Sequence, residues 1–412
     1  MSDASLFVAA PPLTVEAAFD HIAAQSFRPT VPARIGAEVE SLVTSAADRR
    51  RRLDPESLKA VLAVRDALPR RSRLSFEPGG ALELSSRPAA SAGECFAELE
   101  PDRRRVASAL AAEGYELLGL GLDPIRLPRR VLRTPRYQAM EELFDQDGRA
   151  GRWMMSNTAS VQVCVDIGLD VDGPQGIADR WDLAHRLAPV LIAAFANSPL
   201  RRGEPSMWRS TRQHVWAAID RTRSRPVVAG HGAQGDPRES WARYALDARV
   251  MAVRGPGRWT VPRGLTFRDW INGDYHQAPT LDDLDYHLST LFPPVRPRGS
   301  YLELRMIDAQ PGPDWIAPVA FAAALFDDPL AAQRARAALE PLWHRATAAD
   351  LYLRAATAAL HDDALHRAAT ACFTAALAAQ PDPALAAVLE RFTDAYVARG
   401  RTRADDLVAQ AA

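Results

Sequence analysis

The sequence predicts an α+β fold, and three observations lead to that class. Four short segments alternate apolar and polar residues with the period of two that is typical of β-strands. Several longer segments repeat apolar residues at helical spacing. Beyond residue 315 the chain is rich in alanine, and helix is expected to follow helix to the end. We expect a single domain over residues 1–412, with a sheet-bearing core at 14–312 and a helical region at 315–412 packed on it.

Helices and strands alternate in the first third of the chain. Asp54 and Pro55 are the cap and first-turn residues of one predicted helix. The Pro78-Gly79-Gly80 sequence forces a turn or bulge between two strand halves. The predicted elements are a helix at 14–28, a strand at 34–40, a helix at 54–68, a strand pair within 74–85, a helix at 94–113 and a strand at 115–122.

The rest of the chain begins with a basic, irregular segment at 128–137. Thr280 and Asp283 have the spacing of a capping box, with Asp where Glu or Gln is more usual. The helix that they open is expected to end before Pro293. The other predicted elements are strands at 161–166, 211–221 and 301–306, a helix at 178–196, and C-terminal helices with breaks at 327–329, 362–363 and 381–383.

Carboxylates and amides occupy one face of the four strands. Glu38 and Glu40 point to one side of the first strand while its apolar residues point to the other. If the strands share a sheet, five glutamates are expected to line one cavity: Glu38, Glu40, Glu77, Glu83 and Glu303. Carboxylates crowded out of water must be protonated or compensated by cations, so the pattern predicts a bound metal cluster. The alternative for any single strand is that it is half exposed, with solvated glutamates.

Composition excludes several classes of function. The net charge of −1 gives no field that favours nucleic acid or an anionic membrane. Lys59 is the sole lysine and has no glycine loop beside it, so a Walker A or kinase site is not expected. The three cysteines are widely spaced, and residues 1–14 lack the basic region of a signal peptide, so we expect a cytoplasmic protein.

The site chemistry is rich in oxygen rather than in histidine. No GxSxG, HExxH or GxGxxG motif is present. Carboxylate and amide oxygens are ligands of hard cations, and Mg²⁺ is the usual ion where substrate phosphates share the site. The sequence therefore favours phosphoryl transfer, in which a protein mainly positions groups and neutralises charge.

These motifs resemble those of glutamate–cysteine ligases of the plant and actinobacterial type, most of all the actinobacterial ergothioneine-pathway members. The resemblance runs in order from about residue 30 to 312. The stretches that carry it are 34–40 (Arg-Ile-Gly-Ala-Glu-Val-Glu), 76–85 (Phe-Glu-Pro-Gly-Gly-Ala-Leu-Glu-Leu-Ser), 154–163, 195–199 (Phe-Ala-Asn-Ser-Pro), 241–247, 267–271, 290–296 and 301–306 (Tyr-Leu-Glu-Leu-Arg-Met).

The resemblance implies a fold and a reaction. The fold is similar to the catalytic domain of glutamine synthetase, with a curved, mainly antiparallel sheet that forms an active-site funnel wrapped by helices. In the implied reaction, ATP phosphorylates the γ-carboxylate of glutamate, and the cysteine amine attacks the γ-glutamyl phosphate to give γ-glutamylcysteine, ADP and phosphate. Two or three Mg²⁺ ions, or Mn²⁺ in their place, are the implied cofactors.

The resemblance also implies roles for individual residues. The five glutamates match the metal-binding acids, and Glu38, Glu303 and Arg305 are the expected catalytic residues. Arg305 would stabilise the transferred phosphoryl group, with a simple ion pair to Glu303 as the structural alternative. The expected ATP-binding residues are Gln162, Arg305 and Arg221. The expected substrate-binding residues are Arg212, Trp216, Tyr244 and Asn157, although a core position is equally open for Tyr244.

Two residues depart from the plant-type pattern. Cys164 stands where those relatives have Asn, and Asn157 stands where they have Arg. We expect Cys164 to be structural, because the mechanism needs no thiol nucleophile.

Three alternatives remain open from the sequence. The first is a ligase whose acceptor is an amine other than cysteine. The second is a non-catalytic glutamate- or nucleotide-binding homologue. The third is a metal-dependent hydrolase, although that class more often has His ligands. The expected partners are the small molecules ATP, L-glutamate and L-cysteine, without nucleic acid or membrane, and we expect a monomer.

Overall fold

A computed structural model describes residues 12–52, 63, 68–228, 235–344 and 346–411. Within these ranges a seven-stranded sheet has the order β2-β3-β1-β5-β9-β8, with β4 paired to the second half of β1, and β6 and β7 form a separate hairpin. Every pairing between these strands is antiparallel. The strands are β1 (Ile35–Ser45), β2 (Arg73–Phe76), β3 (Leu82–Ser85), β4 (Tyr115–Leu118), β5 (Ser160–Asp166), β6 (Leu200–Arg201), β7 (Glu204–Pro205), β8 (Val295–Arg298) and β9 (Tyr301–Asp308).

The register of the sheet places polar side chains beside one another across its strands. Glu38 lies opposite Gln162 on β5, and Glu40 lies opposite Glu83 on β3. On the far side of β5, Cys164 lies opposite Glu303. The polar pattern of each strand therefore adds up to one continuous polar face, because cross-strand partners point to the same side of a sheet. The apolar residues of the same strands belong to the main hydrophobic core.

A β-bulge in β9 interrupts this register at the polar face. The ladder passes from Val163 with Leu304 to Val161 with Ile307. Gln162 is therefore opposed by two residues, Arg305 and Met306, rather than one. A bulge changes the direction in which side chains leave a strand and is common beside active sites. It also shifts Asp308 by one residue from the position that strict alternation predicts.

Helices cover the apolar face of the sheet and make up the C-terminal region. The helix Ile316–Asp327 is buried along almost its whole length, as its alanine-rich and aromatic sequence requires. Aromatic rings pack around it, with the centroids of Phe321 and Phe373 4.3 Å apart. The α-helices are Val15–Ser26, Ala92–Ala112, Pro135–Asp145, Ala150–Asn157, Ile177–Ala194, Thr211–Ala217, Arg221–Ser224, Pro237–Leu246, Phe267–Ile271, Leu281–Leu288, Ile316–Asp327, Pro329–Trp343, Ala348–Thr357, Asp363–Ala379, Pro383–Ala395 and Arg403–Ala411. Short 3₁₀ helices lie at Gly312–Trp315, Ala359–His361 and Val397–Arg399.

Most of the predicted elements are confirmed, and their boundaries follow local capping chemistry. Thr280 and Asp283 form the predicted capping box. Asp328, Asp362 and Asp382 accept backbone N–H groups as N-caps at the three predicted C-terminal breaks. The first strand is longer than predicted, the strand at 115–122 is shorter, and the basic segment at 128–137 runs into the helix Pro135–Asp145. The predicted helix at 54–68 lies almost entirely outside the described residues.

The strand predicted at 211–221 is wrong, because this segment contains two short helices instead. The Ser210 hydroxyl accepts the Gln213 N–H and caps the helix Thr211–Ala217. The side chain of Asp220 accepts the Thr222 N–H at the start of the next helix. These caps override the β-propensity of the sequence around Trp216.

No single helix in the described ranges is long and apolar enough to cross a membrane. The bent pair Gly312–Asp327 and Pro329–Trp343 meets the length and composition criteria only when its two members are taken together.

We predict that Gly79→Ala destabilises the protein. A Cβ at position 79 would lie 2.1 Å from the backbone oxygen of Ser156, so the turn that carries Glu77 would have to move off the helix Ala150–Asn157. Overpacking of this kind lowers the free energy of unfolding by about 1–3 kcal/mol, as measured by denaturant unfolding. In the control Gly255→Ala, the new Cβ has no heavy atom within 4 Å and stability should not change. Equal stability of both variants would contradict this packing argument.

Candidate active site

The polar face of the sheet forms one wall of a cavity of about 370 Å³, which we call the acidic cavity. All five glutamates that the sequence predicts for one cavity line it: Glu38, Glu40, Glu77, Glu83 and Glu303. Gln162 and Arg305 line it as well. The folded chain thus brings together acids that lie up to 265 residues apart in sequence.

Three of the acids form a compact oxygen cluster. One carboxylate oxygen from each of Glu40, Glu77 and Glu83 lies within 4.8 Å of the other two. Glu40 accepts hydrogen bonds from the Ser160 N–H at 2.7 Å and the Gln162 amide at 2.9 Å. Burial, together with the neighbouring carboxylates, raises the pKa of Glu40 and raises that of Glu77 well above its ordinary value. A hard cation is the natural compensation for such a group.

Glu38 lies next to this cluster along β1. Burial, and then the charges of Glu303 and Glu83, raise the pKa of Glu38 from 4.5 to about 8. Among the described residues, no side chain or backbone group donates a hydrogen bond to its carboxylate at the distances of normal hydrogen bonds. Arg305 and Arg296 act to lower the pKa of Glu38 but do not outweigh burial and the neighbouring acids, so a cation in the cavity would favour the ionised form.

Glu303 is instead compensated by arginine. Its Oε2 atom accepts from Arg296 Nε at 2.7 Å and lies 3.1 Å from Arg305 Nη1. Burial opposes ionisation, but Arg296, Arg305 and Arg298 together lower the pKa of Glu303 to about 2. Arg305 Nη1 also donates a short hydrogen bond to Gln162 Oε1. The predicted ion pair between Arg305 and Glu303 is present, and it holds the guanidinium of Arg305 over the acidic cavity.

A second cavity of about 300 Å³ adjoins the first, and we call it the aromatic cavity. Arg212, Trp216, Phe292 and Arg305 line both cavities. The remaining walls of the aromatic cavity include Trp208, His214, Arg221, Arg225 and Tyr352. Two adjoining cavities that share a wall containing two arginines can hold two reacting groups on either side of that wall.

Arg212 is fixed at this boundary by backbone and acid contacts. Its Nη2 donates to the backbone oxygen of Arg305 at 2.8 Å, and its Nη1 lies 3.9 Å from Asp308 Oδ1. Nε and Nη1 are buried and have no hydrogen-bond partner among the described residues. Asp308 in turn accepts from the Ser198 and Ser210 hydroxyls and from the Asn197 N–H. Arg212 therefore retains unused donors that suit an anionic ligand.

Comparison with known proteins identifies the family. The family model "Glutamate-cysteine ligase family 2 (GCS2)" matches residues 34–411. This chain belongs to glutamate–cysteine ligase family 2. The resemblance drawn from the motifs is thereby confirmed, the chain is a ligase, and the family match includes the C-terminal helices.

Full-length relatives support membership in family 2. "Glutamate–cysteine ligase EgtA" of Mycolicibacterium smegmatis is 41% identical over 419 residues, which cover 97% of this chain and 96% of the relative. The protein of the same name from Mycobacterium tuberculosis is 42% identical over 384 residues, covering 90% and 85%.

A solved structure supports the fold class. A crystal structure of a glutamate–cysteine ligase from Francisella tularensis in complex with AMP matches with a TM-score of 0.53 and 13% identity, covering 93% of this chain and 86% of that one. At this identity the match concerns the fold, and the predicted combination of an antiparallel sheet with helices is confirmed.

Three of the predicted site residues lie outside the acidic cavity: Asn157, Tyr244 and Arg221. Asn157 is fully buried, and its amide donates to the Arg126 backbone oxygen, so it acts as a structural bridge. Tyr244 is buried and stacks on Trp241 with centroids 5.5 Å apart, which places it in the core rather than in either cavity. Arg221 lines the aromatic cavity and not the acidic cavity, so its position does not suit a nucleotide bound among the glutamates.

Sequence reasoning missed four arginines and a tyrosine that line the acidic cavity. These are Arg73, Arg136, Tyr137, Arg296 and Arg298. The alternation of β8 is a signal that could have found two of them, because Arg296 pairs directly with Glu303 across the sheet. Asp308 was also missed, since the β9 bulge moves it out of the simple alternation.

We predict that Asp308→Asn destabilises the protein by about 2 kcal/mol. The new amide cannot accept the Asn197 N–H and both hydroxyl groups, so a buried polar group loses its partner. Thermal and denaturant unfolding measure the change. The matched control Asp247→Asn removes an exposed ion pair with Arg268 and should change stability by less than about 0.5 kcal/mol. If Asp308→Asn were as mild as this control, the three hydrogen bonds that Asp308 accepts would not contribute to stability as argued.

Proposed function

We propose that this chain joins the γ-carboxylate of L-glutamate to the amine of L-cysteine, with conversion of ATP to ADP and phosphate. The observation that carries the proposal is the convergence of five glutamates and Arg305 on one buried cavity that opens onto a second, arginine-lined cavity. Membership in glutamate–cysteine ligase family 2 supports the same reaction. On the strength of the motif resemblance, we further propose that the product supplies ergothioneine biosynthesis.

The donor set of the acidic cavity fits divalent cations. Glu40, Glu77 and Glu83 would hold one Mg²⁺ ion, since their oxygens already lie close together. Glu38, Gln162 and Glu303 would hold a second ion. When bound, Mg²⁺ neutralises the phosphates of ATP and the charge that develops during phosphoryl transfer. Glu303 is already balanced by two arginines, so Glu38 is the acid of the second set that most needs a cation.

In this proposal, Arg305 lies where glutamate and the terminal phosphate of ATP must meet. A γ-carboxylate oxygen of glutamate attacks the terminal phosphorus of ATP, and the bond between that phosphorus and ADP breaks. Arg305 faces the transferred phosphoryl group from the wall shared by the two cavities. The cysteine amine then attacks the acyl carbon, loses a proton, and phosphate leaves with the electrons of the carbon–oxygen bond.

The amino-acid substrate belongs, in this proposal, to the aromatic cavity. Arg212 has unused donors there, and a bidentate arginine suits a carboxylate. Trp216 provides an apolar wall beside it. ATP and its metal ions belong to the acidic cavity, where Arg73, Arg136 and Arg298, rather than Arg221, are further arginines available to phosphate. We propose that the enzyme works as a cytoplasmic monomer. We also propose that it has no nucleic-acid or membrane partner, because its net charge of −1 gives no field that favours either.

We predict that Glu38→Gln lowers the turnover number by about 10²-fold or more. A neutral amide cannot replace a charged ligand at the phosphoryl-transfer centre. Glu38→Gln is a cleaner test than Glu303→Gln, because Glu303 holds two arginines in place and its loss would disturb the fold. ADP release with Mg²⁺, ATP, glutamate and cysteine is the measurement, with melting temperature as the check on folding.

Glu239→Gln is the matched control for Glu38→Gln, because Glu239 is exposed and lies 4.0 Å from its partner Arg243. Wild-type turnover in Glu38→Gln would overturn the assignment of Glu38. If the wild-type enzyme prefers another amine to cysteine, the fold and the proposed ATP chemistry still hold, but the proposed acceptor is wrong.

We predict that Glu77→Gln removes the stabilisation that Mg²⁺ and ADP give to the enzyme. Glu77 is crowded by Glu40 and Glu83, so its neutralisation should leave the metal-free protein as stable as the wild type, or more stable by about 1 kcal/mol. Thermal unfolding with and without Mg²⁺–ADP measures both effects. The exposed residue Glu142, paired with Arg258, provides the control Glu142→Gln, which should keep the full ligand response. A ligand response in Glu77→Gln equal to that of the wild type would contradict the proposed metal site.

A further inference from the structure

The helix Ala348–Thr357 of the C-terminal region forms part of the aromatic cavity. Tyr352, Leu353 and Ala356 are among the residues that line it. All three lie beyond the motif stretches of the sequence analysis, which end near residue 312, although the family match includes them. The substrate pocket is therefore built from both the sheet-bearing core and the helical region that follows it.

This helix is tied directly to the segment that carries Arg212. The backbone oxygen of Ala356 accepts hydrogen bonds from the N–H groups of Arg209 and Ser210, both at 2.9 Å. The Ser210 hydroxyl then caps the helix on which Arg212 and Trp216 lie. Backbone hydrogen bonds thus join the helix that carries Tyr352 to the segment that carries Arg212.

Four residues of this cavity wall have buried polar atoms without hydrogen-bond partners among the described residues. They are the Tyr352 hydroxyl, Trp216 Nε1, Arg305 Nε, and Nε and Nη1 of Arg212. A buried polar group without a partner costs about 1–3 kcal/mol, so a cluster of them around one cavity indicates a ligand-binding site. All of these groups can donate hydrogen bonds, which makes the complementary ligand an acceptor.

The charges around the cavity narrow the class of ligand. Arg212, Arg221 and Arg225 line it, and Asp350 is the only acidic residue among the described lining residues. The cavity volume of about 300 Å³ suits a small molecule of amino-acid size. A carboxylate combines the negative charge with the acceptor oxygens that these groups require.

We propose that the Tyr352 hydroxyl donates a hydrogen bond to the α-carboxylate of the amino-acid substrate bound beside Arg212. This inference rests on the proposed ligase function and adds a specificity-determining residue from the C-terminal region. The hydroxyl is shielded from water, so a carboxylate that reaches it gains a hydrogen bond without competition from solvent. Glutamate and cysteine both carry the required group, and kinetics can tell them apart.

The test is the variant Tyr352→Phe, which removes the hydroxyl and keeps the ring. Steady-state rates of ADP release give separate KM values for glutamate, cysteine and ATP. We expect the KM for one amino acid to rise by about tenfold or more, the effect of losing one hydrogen bond to a charged group. The KM for ATP should not change, and the melting temperature of the ligand-free protein should stay the same or rise, because the variant lacks an unpartnered buried hydroxyl. The amino acid whose KM rises is the one held by Tyr352.

The control is Tyr396→Phe, which removes a hydroxyl that bonds to Asp406 outside both cavities. It should leave all three KM values unchanged. The inference is overturned if Tyr352→Phe leaves both amino-acid KM values unchanged, raises both equally, or raises the KM for ATP by the same factor. A wild-type enzyme without ligase activity would instead overturn the proposed function, so the two failures are distinguishable.

Discussion

The rest of the active site depends on one constraint: several carboxylates are held out of water on the same face of a sheet. The apolar face must be covered by helices, and the carboxylates on the opposite face must be compensated by positive charge. Arg296 and Arg305 supply that charge for Glu303. Arg305 acts to lower the pKa of Glu38 and Glu77, but burial and the neighbouring acids outweigh it. The acidic cavity therefore has an excess of carboxylates, which the proposed metal ions would compensate.

Sequence reasoning succeeded where the local rule and the final structure agree. Alternation with period two correctly placed Glu38, Glu40 and Glu303 on one face, because these strands are regular there. The helix starts at Thr280 and Asp362 could likewise be predicted from the sequence, since an N-cap depends on residues only a few positions away. The fold class and the group of acids could therefore be predicted before any tertiary contact was known.

The failures arose where a tertiary contact or an irregular backbone decides the outcome. The β9 bulge inserts one residue, so alternation cannot place Asp308. The segment after Ser210 has the composition of a strand but forms a short helix because of its cap and its contact with Ala356. Tyr244 fits a pocket or a core equally well by residue type, and its stacking on Trp241 puts it in the core. No local pattern contains this information.

The aromatic cavity also bears on how the chain is divided. A boundary near residue 312 separates a sheet-bearing core from the later helices in sequence, but the helix Ala348–Thr357 lines the same cavity as Arg212. Arg305 reaches both cavities from the β9 bulge, so the strand that closes the acidic cavity also faces a wall built by the C-terminal region. We therefore propose that residues 1–412 act as a single catalytic unit, because removing the later helices would open the pocket beside the reacting groups and admit water.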